Sequence, residues 1–281
     1  MNPDAPIGVF DSGLGGLTVV RRIIERMPAE PIVYYADSRY VPYGPRPLDQ
    51  IRQFATDICD FLSGRGCKLI VMGCNMSSAV ALDGVRERVG IPVLGTIDAG
   101  VEGALEATQS GRVGVAATEG TVASGMYPNA LRARRADVEV LQQACPQFVP
   151  IVESGALNGR VPEHVAEQLA PLRDAGVDTL ILGCTHYPLL LREIRAAMGP
   201  EVAIVDPALR LAERAERLLR EMGAVRQAPC CGRRQFFCSG DPEAFRRAAR
   251  AVAGMHVPDV EQVDVHETGH DGNPTTGADA E

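Results

Sequence analysis

Two cysteines stand at matching places in this chain. Lys68-Leu-Ile-Val-Met-Gly-Cys74-Asn75 and Thr179-Leu-Ile-Leu-Gly-Cys184-Thr185 each run from an apolar strand through a glycine to a cysteine and a polar residue that opens a helix. The glycine lets a ligand come close, and a helix N-terminus favours a thiolate. An unperturbed thiol titrates at about 8.5, so a modest downward shift would make it a base near neutral pH. Two matched thiols suit one chemistry in particular, the inversion of a stereocentre without a cofactor. One base removes a proton from one face, and an acid returns a proton to the other. The reverse reaction exchanges the roles, so the two groups must be nearly equivalent, and the substrate must lie between them. The ordinary reading of a free cysteine is a small buried hydrophobe. Cys59, Cys67 and Cys145 are assigned to that class. Asp11 closes the first apolar run and can serve Cys74 as a proton partner, with a helix N-cap as its structural alternative, a role Ser12 can also fill. His186 lies close to Cys184, with an N-terminal capping role as its alternative.

These residues need a scaffold that brings strand ends together. Short apolar runs at 7–10, 32–35, 69–72, 93–97, 113–116, 138–141, 179–182 and 202–205 read as buried strands. Amphipathic stretches at 17–27, 48–62, 77–89, 101–110, 162–175 and 189–198 read as helices. Strand and helix in alternation predict an α/β protein with mainly parallel sheets. In such folds the ligand crevice lies beyond the carboxyl ends of the strands. Polar residues follow the runs there: Asp11 and Ser12, Asp37 and Ser38 with Pro42-Tyr43-Gly44, Cys74-Asn75, Thr118 to Thr121, Cys184-Thr185-His186, and Asp206. The repeated Gly-Cys pattern suggests two similar α/β domains, each presenting one cysteine to a cleft between them, where pockets are common.

The chain has 281 residues, enough for two domains at roughly 100–200 residues each. The formal net charge is −8. Seven of the acidic residues lie within 255–281, a stretch with no Lys or Arg. The remainder is near neutral, so a nucleic-acid partner is not expected. The stretch 255–281 reads as an acidic disordered tail. No apolar run approaches the roughly 18 residues that span a bilayer, so no membrane partner is expected. The opening Met1-Asn2-Pro3-Asp4-Ala5-Pro6 does not read as a signal peptide. Eight cysteines without an export signal predict free thiols and a cytoplasmic location. Lys68 is the single lysine, so no Gly-Lys-Ser/Thr phosphate loop exists. Lys68 also precedes its strand, at the wrong end to carry a Schiff base. Gly13-Leu-Gly15-Gly16-Leu-Thr18 lacks the third glycine of a dinucleotide site, and Asp11 would face a pyrophosphate with like charge. Cys230, Cys231 and Cys238 contain no Cys-x-x-Cys pair, and no metal site is expected.

In order along the chain stand Gly8-Val-Phe-Asp11-Ser12-Gly-Leu-Gly-Gly-Leu-Thr18, Val41-Pro42-Tyr43-Gly44, Cys74-Asn75, Gly120-Thr121, Val152-Glu153-Ser154-Gly155, Gly183-Cys184-Thr185-His186-Tyr187-Pro188, Val205-Asp206-Pro207 and Ser239-Gly240-Asp241-Pro242. Together they resemble bacterial glutamate racemase, of the aspartate/glutamate racemase family, over roughly residues 7 to 254. The resemblance implies a cofactor-independent two-base racemase that interconverts L- and D-glutamate and supplies D-glutamate to peptidoglycan. It implies that Cys74 takes the proton from the D-isomer and Cys184 from the L-isomer. Asp11 is implied to assist Cys74, and His186 to assist Cys184 with Glu153 nearby. Ser12, Asn75 and Thr185 resemble residues that hold the α-amino and α-carboxylate groups. Pro42, Tyr43, Gly44, Thr118 and Thr121 resemble the end that receives the side-chain carboxylate. Backbone N–H groups in such turns suit an anion. The resemblance places residues 1–96 with 208–254 in the domain of Cys74 and 97–207 in that of Cys184, and implies a homodimer. One position departs from the family: Met76 stands where threonine is usual, and offers only a weak acceptor and more bulk. The alternatives are another acidic amino acid as substrate, or a non-catalytic role such as regulation of DNA gyrase.

Overall fold

The computed structural model describes residues 2–154, 160–227, 231–251 and 253–267. Gly155, Cys230, His270 and the rest of 268–281 lie outside them. The strands of the first half are β1 (Ile7–Asp11), β2 (Ile32–Ala36), β3 (Leu69–Met72) and β4 (Val93–Gly95). Those of the second are β5 (Arg112–Ala117), β6 (Glu139–Ala144), β7 (Thr179–Gly183) and β8 (Ala203–Val205). Two late strands follow, β9 (Arg234–Cys238) and β10 (Val260–Gln262). One sheet has the order β10-β9-β2-β1-β3-β4 and the other β6-β5-β7-β8. All pairings are parallel.

Each half therefore lays its first four strands in the order second, first, third, fourth. In that order the chain leaves the first strand toward one edge and returns on the other side, which opens a crevice beyond the first and third strands. Asp11 ends β1, Cys74 follows β3 and Cys184 follows β7. The two cysteines occupy equivalent positions at the two crevices.

Every residue of β1, β2, β3 and β7 is buried, as apolar runs covered on both faces require. The covering helices are α1 (Gly16–Arg26), α2 (Leu48–Gly64), α3 (Asn75–Arg88), α4 (Thr96–Ala107), α5 (Glu119–Ala123), α6 (Met126–Arg134), α7 (Phe148–Glu153), α8 (Val161–Asp174), α9 (Leu191–Met198), α10 (Pro207–Glu221) and α11 (Pro242–Ala251). Leu17, Val20 and Ile23 of α1 meet Leu211, Ala212 and Ala215 of α10 on one face of the first sheet. Ile58 and Leu62 of α2 meet Leu82 and Val85 of α3 on the other. Val165, Leu169 and Leu172 of α8 and Val101 and Ala104 of α4 cover opposite faces of the second sheet. After α10 the chain returns to the first sheet, where β9 pairs with β2.

Three expectations require correction. The strand expected at 138–141 runs to Ala144; its Gln142 and Gln143 are half-buried on an edge strand and masked the apolar pattern. The helix expected from residue 101 begins at Thr96. Ile97, counted with the strand, lies in that helix and turns into the core beside Val101. The stretch 255–267 is folded rather than disordered. There β10 pairs with β9, Val257 is buried, and Val263 and Val265 pack on the α2–α3 face. Four valines among the acids supplied enough apolar surface to dock. The part of the expected tail at 268–281 lies outside the described residues.

Candidate active site

Asp11 is fully buried, and its carboxylate has three partners. Oδ2 accepts from the Gly13 and Gly16 amides at 3.1 and 3.0 Å. Oδ1 accepts from the Thr185 hydroxyl at 3.0 Å. Burial pushes its pKa up, against the opposing charge of His186 and these hydrogen bonds. The bond to Thr185 ties the β1–α1 turn to the second half. The approach is close enough that a Cβ at Gly15 would collide with Thr185 and His186, so glycine is required there. Sequence reasoning paired Asp11 with Cys74, whereas its oxygens are taken up by the turn and by Thr185. It acts on Cys74 through charge, without a hydrogen bond.

Cys74 is the N-cap of α3, and its sulfur accepts from the Ser77 amide at 3.5 Å. That contact favours the thiolate, but burial outweighs it. With the Asp11 charge adding to burial, the thiol is pushed up to about 12. The helix terminus therefore does not deliver the low pKa expected from its position alone. Asn75 is held by the Tyr127 hydroxyl, which donates to its Oδ1 at 2.7 Å. Met76 is buried and turned into the cavity, where its sulfur accepts weakly from the Thr121 hydroxyl at 3.8 Å.

Across the cleft, Thr118 caps α5, accepting from the Thr121 amide at 3.4 Å. The Cys184 sulfur lies 3.8 Å from Nδ1 of His186. Nε2 of the same ring meets Oε1 of Glu153 at 2.6 Å. His186 is 2% exposed. Burial alone would push its pKa down, but the contacts with Cys184 and Glu153 hold it well above the ordinary histidine range. The imidazole is thus fixed between a sulfur and a carboxylate. The Tyr187 hydroxyl donates to the Cys145 carbonyl at 3.0 Å, which anchors the turn after β7.

These groups surround a narrow cavity. Ser12, Pro42, Tyr43, Gly44, Cys74, Asn75 and Met76 line it from the first half, and Thr118, Thr121, Cys184, Thr185 and His186 from the second. Asp11 and Glu153 stand behind this lining. Val41, Val149 and Gly183 also line it, and of these Val149 was not foreseen. Val149 is an apolar residue of α7 with no chemical signature. Gly183 is the glycine of the Gly-Cys pattern, and a Cβ there would also press on the Ala116 carbonyl of β5 at 3.0 Å. The lining holds no Lys or Arg, so an anion must be met by amides and hydroxyls.

Among the described residues no three His, Cys, Asp or Glu side chains are grouped to hold a metal ion. Cys231 is exposed and Cys238 is buried in β9. No helix among the described residues is long and apolar enough to cross a membrane.

The sequence profile of the Asp/Glu/Hydantoin racemase family matches residues 7–215. Glutamate racemase of Corynebacterium diphtheriae is 45% identical over 260 residues, which span 92% of this chain and 98% of that one. The crystal structure of glutamate racemase isoform RacE1 from Bacillus anthracis superposes with a TM-score of 0.89 at 35% identity, covering 94% of this chain and 98% of that chain. The glutamate racemase of Francisella tularensis, solved in complex with D-glutamate, superposes with a TM-score of 0.87 at 33% identity, over 94% and 98% of the two chains.

Proposed function

The chain belongs to the Asp/Glu/Hydantoin racemase family and is an amino-acid racemase; we propose that it interconverts L- and D-glutamate by a two-base, cofactor-independent mechanism and supplies D-glutamate to peptidoglycan in the cytoplasm. The observation that carries this reading is the pair of thiols at equivalent strand ends, one from each half, on a single cavity. From L-glutamate, the Cys184 sulfur takes the α-proton as the Cα–H bond breaks. The electron pair is left on Cα, conjugated with the carboxylate, and the Cys74 S–H protonates the opposite face. From D-glutamate the roles exchange. His186 stands beside Cys184 as the proton carrier of that face, oriented by Glu153. Asp11 is assigned to assist Cys74, on which its charge acts without a hydrogen bond. Burial and the Asp11 charge push the Cys74 thiol up, and the α-ammonium group of a bound substrate would favour its ionisation. Ser12, Asn75 and Thr185 are assigned to the α-amino and α-carboxylate groups. Pro42, Tyr43, Gly44, Thr118 and Thr121 are assigned to the side-chain carboxylate. Residues 1–96 with 208–254 and residues 97–207 are taken as the two domains, and a homodimer is proposed on the resemblance alone.

The test is chiral chromatography after incubation with each glutamate isomer and with aspartate, no cofactor added. Conversion of glutamate toward an equal mixture supports the reading. Conversion of aspartate alone would move the substrate, and no conversion of either would sink it.

Met76 lines the cavity in place of a hydroxyl-bearing residue. A hydrogen bond to a charged group contributes roughly 1.5–3 kcal/mol, or about one to two decades in affinity. Met76→Thr is therefore expected to lower KM for glutamate about tenfold or more, with kcat little changed. An unchanged KM would show that the Met76 backbone amide already serves the carboxylate.

Glu153→Gln removes the carboxylate that helps hold His186 protonated. His186 should then lose its proton at lower pH. The alkaline limb of kcat/KM is expected to move down by about one pH unit. A superimposable pH profile would remove Glu153 from the mechanism.

A further inference from the structure

The segment after β10, through Glu267, lies against the outer wall of the cavity. His266 is the residue that docks it. Its Nε2 lies 3.1 Å from Oδ2 of Asp37, and its Nδ1 lies 3.0 Å from Oδ2 of Asp57. A neutral imidazole has one donor, so only the imidazolium can donate to both carboxylates at once. The ring lies against Phe54, with centroids 4.2 Å apart, and meets the Tyr40 ring edge-on at 5.0 Å. The same Asp37 oxygen accepts from the Tyr43 hydroxyl at 2.5 Å. Tyr43 lines the cavity and clusters with Phe54, Cys74 and Met76. A continuous chain of contacts thus runs from His266 through Asp37 to the cavity wall.

The segment is held by more than this ring. The Tyr35 hydroxyl donates to the Val263 carbonyl at 2.9 Å. Asp264 accepts from the Tyr40 hydroxyl at 3.0 Å and pairs with Arg39 at 2.8 Å. Arg39 also pairs with Glu267. These contacts place the segment over the loop that carries Pro42-Tyr43-Gly44, the end of the pocket assigned to the side-chain carboxylate.

We propose that His266 is a positioning residue for substrate binding: as an imidazolium between Asp37 and Asp57, it fixes the acceptor that orients Tyr43 and offsets the negative charge behind that wall. Among the described residues no other cation forms an ion pair with Asp37, so a dicarboxylate substrate would otherwise enter against that buried carboxylate without a paired cation. This inference rests on the glutamate reading of the site. Burial works against the charge on His266, but the bonds to Asp37 and Asp57 hold its pKa above the ordinary histidine value. The folded pKa is raised, so the contribution is complete below about 6.5 and fades as pH rises through the folded value. Asp264, Glu267, Arg39, Arg46, Tyr40 and Tyr43 are the other ionisable groups on the elements packed against it.

The test compares wild type with His266→Gln, which keeps a donor without the charge, and His266→Phe, which keeps the ring packing. Steady-state rates are followed against pH for both glutamate isomers. KM is expected to rise about tenfold in both variants at pH 7, with kcat within a factor of two. The wild-type KM should rise toward the variant value at alkaline pH, where the variants' KM stays flat. His266 itself is read independently by ¹⁵N NMR of the imidazole, which should show both nitrogens protonated near pH 7 and a lowered pKa in Asp37→Asn. Unchanged KM in both variants, or a neutral ring near pH 7, would overturn the proposal while leaving the racemase reading intact. Loss of kcat with KM unchanged would reduce His266 to a fold contact and also overturn it. A wild type that neither binds nor turns over glutamate would overturn the glutamate reading, and this inference with it.

Discussion

Replacing either Cys74 or Cys184 with serine is expected to abolish racemisation in both directions. A serine hydroxyl is too weak an acid to serve as the base at neutral pH. Positioned proton transfer contributes about 10²–10⁴-fold per group, so kcat should fall by about three decades or more in each single variant. Each direction needs one thiol to remove the proton and the other to return it, so neither variant should retain one-way turnover. The double variant should be about as inactive as either single one, since groups that act as a unit are not additive. Far-ultraviolet circular dichroism and melting temperature should stay near wild type, because serine replaces sulfur with a smaller, hydrogen-bonding atom in a cavity wall. A variant that keeps a tenth of wild-type kcat would remove that cysteine from the chemistry.

The second large effect is on stability and lies at the other end of the strands. Lys68 directly precedes β3, remote from Cys74. Its ammonium is buried and meets Oε2 of Glu30 at 2.5 Å. It also donates to the carbonyls of Pro3 and Ala224, at 2.6 and 2.9 Å. Two of its three donors are hydrogen-bonded, and the Glu30 contact is an ion pair. Glu30 is 2% exposed and accepts from the Arg226 amide at 2.8 Å through its other oxygen. The lone lysine thus joins the N-terminal segment, the approach to β2 and the end of α10. Removing one partner of such a pair leaves an unpaired charge in the interior, at a cost of about 3–5 kcal/mol. Lys68→Met is therefore expected to lower the melting temperature by on the order of 10 °C, with kcat of the folded protein unchanged. Lys68→Met combined with Glu30→Leu should recover most of that loss, because it removes the orphaned charge as well. A single variant that melts with wild type would show that water reaches the pair.

The Lys68 reading also shows how far residue types carry. Its place before an apolar strand correctly removed it from the chemistry, but its partners lie far away in the chain and no spacing announces them. Strands β1, β3, β5 and β7 were legible because they are apolar runs buried on both faces. Edge strands were less so, since Gln142 and Gln143 are tolerated where one face is half-open. The two cysteines were legible from the repeated Gly-Cys ending. The matched strand order of the two sheets adds what repetition alone left open, that both endings fall at equivalent places in their sheets. Asp11 and His186 were found as residues near the thiols; Glu153 beside His186 came from the resemblance alone, and the Thr185 partner of Asp11 was not found. Asp11 binds Thr185 from the opposite half, and His186 is held by Glu153, contacts that only the closed fold creates. The direction of the Cys74 shift was misread for a related reason. A helix N-terminus is visible in sequence, whereas the burial that outweighs it is not. His266 was lost in an acidic composition, because its two carboxylate partners sit on β2–α2 elements more than two hundred residues earlier.

The most direct test of the central claim, two thiols acting on opposite faces of one α-carbon, is the isotope content of both isomers at early turnover in deuterium oxide. Each glutamate isomer is incubated with the protein without cofactor, and Cα–H is followed by NMR after chiral separation. Two distinct bases predict that the newly formed isomer carries deuterium at Cα, because its proton comes from the second thiol, already exchanged with solvent. The recovered starting isomer should remain largely protiated, and the pattern should hold from either isomer. Product that keeps the original proton would mean a single base carries it from one face to the other, and would contradict the account.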